Sequence, residues 1–92
     1  MKKFEKKVFL CPVCGYDRLA FEPYQNDGCL PSLEICPCCG FQFGYDDYPN
    51  KEEGIISWRN EWIDSGCIWF SKGEKPYDGW NPYKQILLLT NK

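Results

Sequence analysis

Two copies of a short cysteine motif constrain this sequence more than any other feature. The pattern Cys-Pro-x-Cys-Gly occupies residues 11–15 and 36–40, and 21 residues separate Cys14 from Cys36. In each copy the proline presets a turn that the glycine can leave at positive φ, so the two thiols approach each other. Two such turns, or knuckles, supply four sulfurs in a tetrahedron, which is the arrangement around structural Zn²⁺ or a single iron. The alternative is a pair of redox-active dithiol motifs or loose thiols.

The spacing also selects the ligands within the second knuckle. A Cys36/Cys38 pair would be one residue too short for the motif and would leave Gly40 one place too late. We therefore expect Cys38 to be a bystander whose side chain points outward, with a redox or metal-exchange role as the less favoured alternative. The predicted metal ligands are Cys11, Cys14, Cys36 and Cys39.

The cysteine count indicates the redox compartment. Seven cysteines leave an odd number, which suits a reducing cytosol in which thiolates remain available for metal. Among the others, Cys67 opens an apolar stretch and is predicted to be buried, whereas Cys29 lies in a predicted loop and is expected to be exposed. The apolar run Val8–Leu10 is too short for a signal peptide, and Ile86–Leu89 is too short for a membrane span. The expected location is the cytoplasm, without membrane contact.

Length and charge narrow the functional classes. A chain of 92 residues predicts one domain, with residues 1–48 forming the knuckle half and residues 49–92 a helical half. The formal charge is −2, and four thiolates holding Zn²⁺ would make it about −4, which disfavours nucleic acid as a partner. The densest basic cluster comprises Lys2, Lys3, Lys6 and Lys7. The chain has no histidine and no recognisable catalytic triad, so we expect no enzymatic activity.

Short strands are predicted on either side of each knuckle. Alternating and β-prone residues favour strands that enter and leave the turns, and the intervening residues 22–31 have loop composition. Strand–knuckle–strand used twice is a zinc ribbon. The predicted strands are Phe4–Leu10, Tyr16–Phe21, Ser32–Ile35 and Phe41–Phe43.

Helix signals dominate the second half. Asn50 is a predicted N-cap for a helix over residues 51–65, with Glu53 in the capping-box position and Gly66 at the end. Gly54 is a weakness in its first turn. Asn81 followed by Pro82 predicts a second, shorter helix over residues 82–89. The predicted fold is therefore α+β: a zinc ribbon followed by one long and one short helix packed on it.

Three other features allow a structural or a functional interpretation. The aromatic residues are favoured as core because they recur at helical spacing, although they could form a ligand wall or a base-stacking platform. Asp46 and Asp47 could form a second metal site or an acid/base pair, but two adjacent carboxylates in a loop are more often solvated. Arg59 could stack on a ring, pair with an acid or bind an anion. The aromatic set is Trp58, Trp62, Trp69, Phe70 and Trp80.

The second knuckle carries a family resemblance. Residues 33–47, which read LEICPCCGFQFGYDD, together with Cys11–Tyr16, Trp58-Arg59-x-x-Trp62 and residues 79–82, resemble the bacterial cysteine-rich CPCC family. This resemblance implies a zinc-binding bacterial protein of unestablished activity. The knuckles alone are also similar to those of rubredoxins, which hold one iron, but the helical second half differs from them.

Three functional classes follow from these observations. The favoured class is a structural zinc ribbon that binds another protein, because closed four-cysteine sites are generally structural. The second is a rubredoxin-like iron electron carrier, since four thiolates also bind iron. The third is a nucleic-acid-binding zinc ribbon, which the charge disfavours.

Overall fold

Two helices are the longest regular elements of the protein. In the computed structural model, which describes residues 8–26 and 28–90, α1 spans Lys51–Asp64 and α2 spans Pro82–Thr90. A small antiparallel sheet pairs β1, Tyr24–Gln25, with β2, Leu30–Pro31. This arrangement confirms the predicted α+β class with one long and one short helix. Within the described residues, neither helix is long and apolar enough to cross a membrane.

Both helices begin at the predicted asparagines. The Asn50 side chain accepts a hydrogen bond from the backbone N–H of Glu53 at 3.1 Å, which satisfies one free donor of the first turn of α1. The Asn81 side chain likewise accepts from the N–H groups of Tyr83 and Lys84. At the other end of α1, Gly66 has a φ of +100°, as a residue that ends a helix often does.

The strands differ from the prediction. The paired strands lie inside residues 22–31, which were predicted as loop, whereas 32–35 and 41–43 contribute only the single bridge between Ile35 and Gln42. Leu33 has a φ of +70°, which interrupts the extended backbone before the second knuckle. A continuous ladder cannot form across that residue.

The first knuckle also lacks a regular hairpin. Residues 8–10 and 16–21 form no strand, and the two segments are linked by a long backbone hydrogen bond of 3.4 Å from Leu19 N to the Phe9 carbonyl. The N–H groups of Ala20 and Phe21 bond instead to the Glu34 carboxylate. Residues 4–7 of the predicted first strand, and Lys2, Lys3, Lys6 and Lys7, lie outside the described residues.

The core lies where α1 meets the knuckles. Phe41 and Phe43 are fully buried, and the Phe41 ring packs edge-on against Trp58 of α1 with centroids 5.5 Å apart. Trp62 is also buried, and Trp69 and Trp80 pack edge-on against each other beside the core. The aromatic stripe is therefore core, as predicted for its four tryptophans. Phe70 differs, because 55% of its surface remains exposed.

Candidate metal centre

The two knuckles repeat one backbone hydrogen-bond pattern. In the first, Cys11 N donates to the Tyr16 carbonyl at 2.8 Å, and Gly15 N donates to the Cys11 carbonyl at 2.9 Å. In the second, Cys36 N bonds to the Phe41 carbonyl at 2.9 Å, and the N–H of residue 40 bonds to the Cys36 carbonyl at 2.8 Å. Each knuckle ends in a glycine at positive φ, +89° and +84°. The repeated motif therefore builds the same turn twice.

The turns bring the sulfurs of the four predicted ligands into one cluster. Cys11 Sγ lies 3.9 Å from Cys39 Sγ, and Cys14 Sγ lies 3.8 Å from Cys36 Sγ. All four sulfurs lie within 4.8 Å of one another. The edge of a tetrahedron with Zn–S bonds of ~2.3 Å is about 3.8 Å, so the cluster has room for one metal ion.

The chemistry of this cluster favours a soft cation. Burial raises the pKa of the Cys14 and Cys39 thiols well above the ordinary value, whereas hydrogen bonding with Cys11 lowers the pKa of Cys36. Four thiols cannot all ionise in a buried cluster unless a positive ion compensates their charge. Because metals bind the thiolate form, this donor set fits a metal ion better than it fits four free thiols.

Helix α1 is hydrogen-bonded to both knuckles. The indole N–H of Trp58 donates to the Cys39 carbonyl at 2.9 Å. The guanidinium of Arg59 donates from Nε to the Val13 carbonyl and from Nη2 to the Pro12 carbonyl, both at 2.7 Å. In the described residues the guanidinium of Arg59 thus bonds to carbonyls rather than to an acid, and anion binding stays a prediction. These two bonds attach α1 to the backbone of the first knuckle.

Helix α2 joins the same two knuckles through a buried amide. Gln85 is 4% exposed, and its Nε2 donates to the Cys14 carbonyl at 3.1 Å and to Cys38 Sγ at 3.4 Å. Its Oε1 accepts from the indole N–H of Trp80 at 2.8 Å, so each end of the amide has a partner. At Gly15 an added Cβ would lie 2.5 Å from the Gln85 carbonyl oxygen, so α2 packs directly on the knuckle backbone.

The three remaining cysteines have distinct environments. Cys38 is fully buried rather than pointing outward, because the sulfur faces Gln85 of α2, and this corrects the prediction. It does not belong to the group of four close sulfurs. Cys67 is 2% exposed, as predicted, and burial raises its pKa. Cys29 is exposed, also as predicted.

The acidic pair has a structural role. Asp46 accepts from the Gln42 N–H at 2.8 Å, and Asp47 accepts from the Gly44 N–H at 2.9 Å and from the Tyr24 hydroxyl. Both aspartates are half-buried rather than freely solvated, and they fix the turn that follows the second knuckle. Their hydrogen bonds go to backbone and a tyrosine, as expected of turn residues rather than of metal ligands.

Sequence reasoning missed one side chain of this centre and misjudged the contacts of another. Neither Gln85 nor the backbone-binding role of Arg59 was anticipated, because glutamine and arginine on a helix are usually solvent-facing. Their positions in the sequence could have indicated burial. Gln85 directly precedes the apolar run Ile86–Leu89, and Arg59 lies between two core tryptophans. A polar residue at either place has to find a buried partner.

Sequence comparisons relate the chain to bacterial proteins. The uncharacterized protein YoaQ of Bacillus subtilis (strain 168) is 31% identical over 75 residues, which cover 68% of this chain and 64% of YoaQ. The uncharacterized protein YozI of the same organism is 33% identical over 73 residues, which cover 65% of this chain and 60% of YozI. The chain thus spans slightly less than two thirds of each relative. No family model and no solved structure matches it, so the CPCC and rubredoxin resemblances stay predictions.

Proposed function

We propose that this chain is a small structural zinc-ribbon protein that binds another protein and has no catalytic activity. The observation that carries the proposal is the cluster of four buried cysteine sulfurs within 4.8 Å of one another. Four protein ligands fill a tetrahedral site and leave no position for a substrate or a reactive water. A closed site of this kind stabilises a fold.

The surroundings of the cluster support a structural role. Trp58 and Arg59 of α1 and Gln85 of α2 all donate hydrogen bonds to knuckle carbonyls. A metal ion at the cluster would therefore organise the helices as well as the turns that hold it. Zn²⁺ suits this role because it has no redox chemistry and accepts four thiolates in a tetrahedron.

Exposed aliphatic side chains beside the second knuckle support a protein partner. Leu30, Leu33 and Ile35, which we call the ribbon edge, are 50%, 60% and 47% exposed. Leu33 lies on the following turn, since a Cβ added to Gly44 would come within 2.8 Å of its Cδ2. Its positive φ is unfavourable for leucine, and strained backbone concentrates at functional sites. Exposed apolar patches mark surfaces that bind other proteins.

The distribution of arginine weighs against nucleic acid. The chain has only two arginines, and the Arg59 guanidinium is bound to knuckle carbonyls. Arg18 lies over the Tyr77 ring and beside Asp17. Since arginine supplies most base and many phosphate contacts, neither is well placed for such a partner.

The first test is the metal content and visible spectrum of protein purified without added metal. We expect one zinc per chain and no absorption band in the visible range. One iron per chain, with thiolate charge-transfer bands that bleach on reduction, would instead support the electron-carrier alternative. Absence of stoichiometric metal would overturn the metal-binding part of the proposal.

The partner is tested on the zinc-loaded protein with the Leu33→Asn variant. Asparagine tolerates positive φ, so this change removes the exposed leucine without disturbing the backbone. The matched control is Ile56→Asn, which changes an exposed aliphatic residue of α1. We expect affinity capture to recover a partner with the wild type and the control but not with Leu33→Asn. Equal capture by all three would show that the ribbon edge is not the binding surface.

A further inference from the structure

The charge of Arg59 has no carboxylate partner in the part of the chain that the structure describes. Its guanidinium is half-buried and bonds to two neutral carbonyl oxygens, those of Pro12 and Val13. The ion pair found among residues 8–26 and 28–90 joins Arg18 and Asp17 instead. A partly buried cation that lacks an acidic partner needs another source of negative charge.

The metal centre supplies that negative charge. Pro12 and Val13 lie between Cys11 and Cys14, so the two hydrogen bonds hold the guanidinium against the first knuckle. Four thiolates around a divalent metal carry a net charge of −2. A positive charge held on the backbone of the same knuckle is attracted by this dianion, and partial burial makes the attraction stronger than it would be in water.

We propose that Arg59 offsets the charge of the four-thiolate centre and thereby sets the affinity of the site for a divalent metal. This inference rests on the proposed metal-binding function. Arginine suits this role because its planar guanidinium stays charged. The group donates to two carbonyls at once, which fixes the position of the charge. Two other cations of the described residues lie over aromatic rings instead, Arg18 over the Tyr77 ring and Lys51 over the Tyr24 ring.

The test compares the zinc affinities of variants that separate charge from geometry. Arg59→Gln removes the charge and keeps an amide donor. Arg59→Lys keeps the charge and loses the planar group that donates to two carbonyls at once. Arg18→Gln is the matched control, because it removes the same charge from an arginine that is 61% exposed and already lies beside Asp17. Affinity is measured by competition with a chromophoric zinc chelator, and folding of each zinc-loaded variant is checked by circular dichroism.

We expect Arg59→Gln to lower zinc affinity about 10- to 100-fold, as changes beside metal ligands commonly do. Arg18→Gln should bind like the wild type, and Arg59→Lys should lie closer to the wild type than Arg59→Gln does. Should Arg59→Gln fail to fold, Arg59→Lys decides: near wild-type affinity supports the inference, and a loss of tenfold or more overturns it. Equal losses in the two Arg59 variants, or none in Arg59→Gln, would also overturn it.

A second readout reports the sign of the effect. In iron-loaded protein, loss of a positive charge should favour the ferric centre, which carries −1, over the ferrous centre, which carries −2. The reduction potential of Arg59→Gln should therefore fall below that of Arg18→Gln, and an unchanged potential would contradict the inference. Failure of the wild type to bind metal would overturn the proposed function as well, whereas a failure confined to the Arg59 variants would overturn this inference alone.

Discussion

At the scale of single residues, Cys38 and Cys39 show how adjacent thiols acquire different roles. Both are buried, but only Cys39 has its sulfur among the four that lie within 4.8 Å of one another. Cys38 instead accepts a hydrogen bond from Gln85. The turn sets this difference between the two cysteines, because the Cys-Pro-x-Cys spacing directs the first and fourth residues toward the sulfur cluster.

This difference predicts opposite outcomes for two neighbouring substitutions. Cys39→Ser should lose zinc and unfold at a much lower temperature, because metal-binding free energy is folding free energy in such sites. Cys38→Ser should retain one zinc, since a serine hydroxyl can still accept the hydrogen bond from Gln85. Zinc analysis and thermal unfolding of both variants measure this. Loss of zinc from Cys38→Ser, with zinc retained by Cys39→Ser, would show that the ligand assignment is wrong.

The same scale shows what local patterns can predict. The knuckle cysteines were accessible from sequence because their spacing, prolines and glycines are all local. The contacts of Arg59 with Val13 and of Gln85 with Cys14 join residues 46 and 71 positions apart, and their acceptors are backbone carbonyls. Every residue has a backbone carbonyl, so the sequence does not indicate which carbonyl will accept a hydrogen bond.

At the scale of elements, the approach of α1 to the turn after the second knuckle depends on Gly54. A Cβ at this position would lie 2.9 Å from the Asp46 carbonyl oxygen and 3.0 Å from the Asp47 Cα. The glycine that looked like a weakness of the first helical turn therefore lies where the backbones of α1 and the turn come too close for a side chain. The turn cannot retreat easily, because both aspartates are held by hydrogen bonds.

Gly54→Ala is accordingly expected to destabilise the protein. In an unconstrained helix this change stabilises by about 1 kcal/mol, because alanine has the higher helix propensity. Here the added methyl group would meet backbone atoms, and overpacking costs about 1–3 kcal/mol. Chemical unfolding of zinc-loaded protein measures the net change. A rise in the free energy of unfolding would show that α1 can move away from the turn.

Elements differ in how far they could be predicted. Both helices begin at asparagine caps, which are local signals, and the structure confirms their starts. The strands depended on alternation, and the positive φ of Leu33 breaks the segment that alternation marked as a strand. The observed sheet forms instead around Asn26 and Gly28, both at positive φ, where composition predicted only a loop. The geometry of this turn therefore decides which residues pair as strands, and the hydrophobic pattern alone does not predict it.

At the scale of the whole molecule, cysteine occupies much of the interior. Among the described residues, six of the twelve buried hydrophobic side chains are cysteines. The larger buried side chains include Phe41, Phe43, Val13 and Trp62. A chain of this size buries a modest apolar area, and its net stability is on the order of 5–15 kcal/mol at most. Structural zinc sites have apparent binding free energies of about 10–16 kcal/mol, which is comparable to this entire free energy of unfolding.

Removal of the metal should therefore unfold the protein cooperatively, helices included. An isolated helix of 14 residues is marginal in water, and α1 obtains its packing from the knuckles through Trp58 and Arg59. We expect excess chelator to abolish the helical circular dichroism and red-shift the tryptophan emission together. Added Zn²⁺ should restore both, while added Mg²⁺ should not, because hard cations do not bind thiolates. Metal analysis must first show that the chelator has removed the zinc. If the helical signal then persists, the apolar core alone holds the fold.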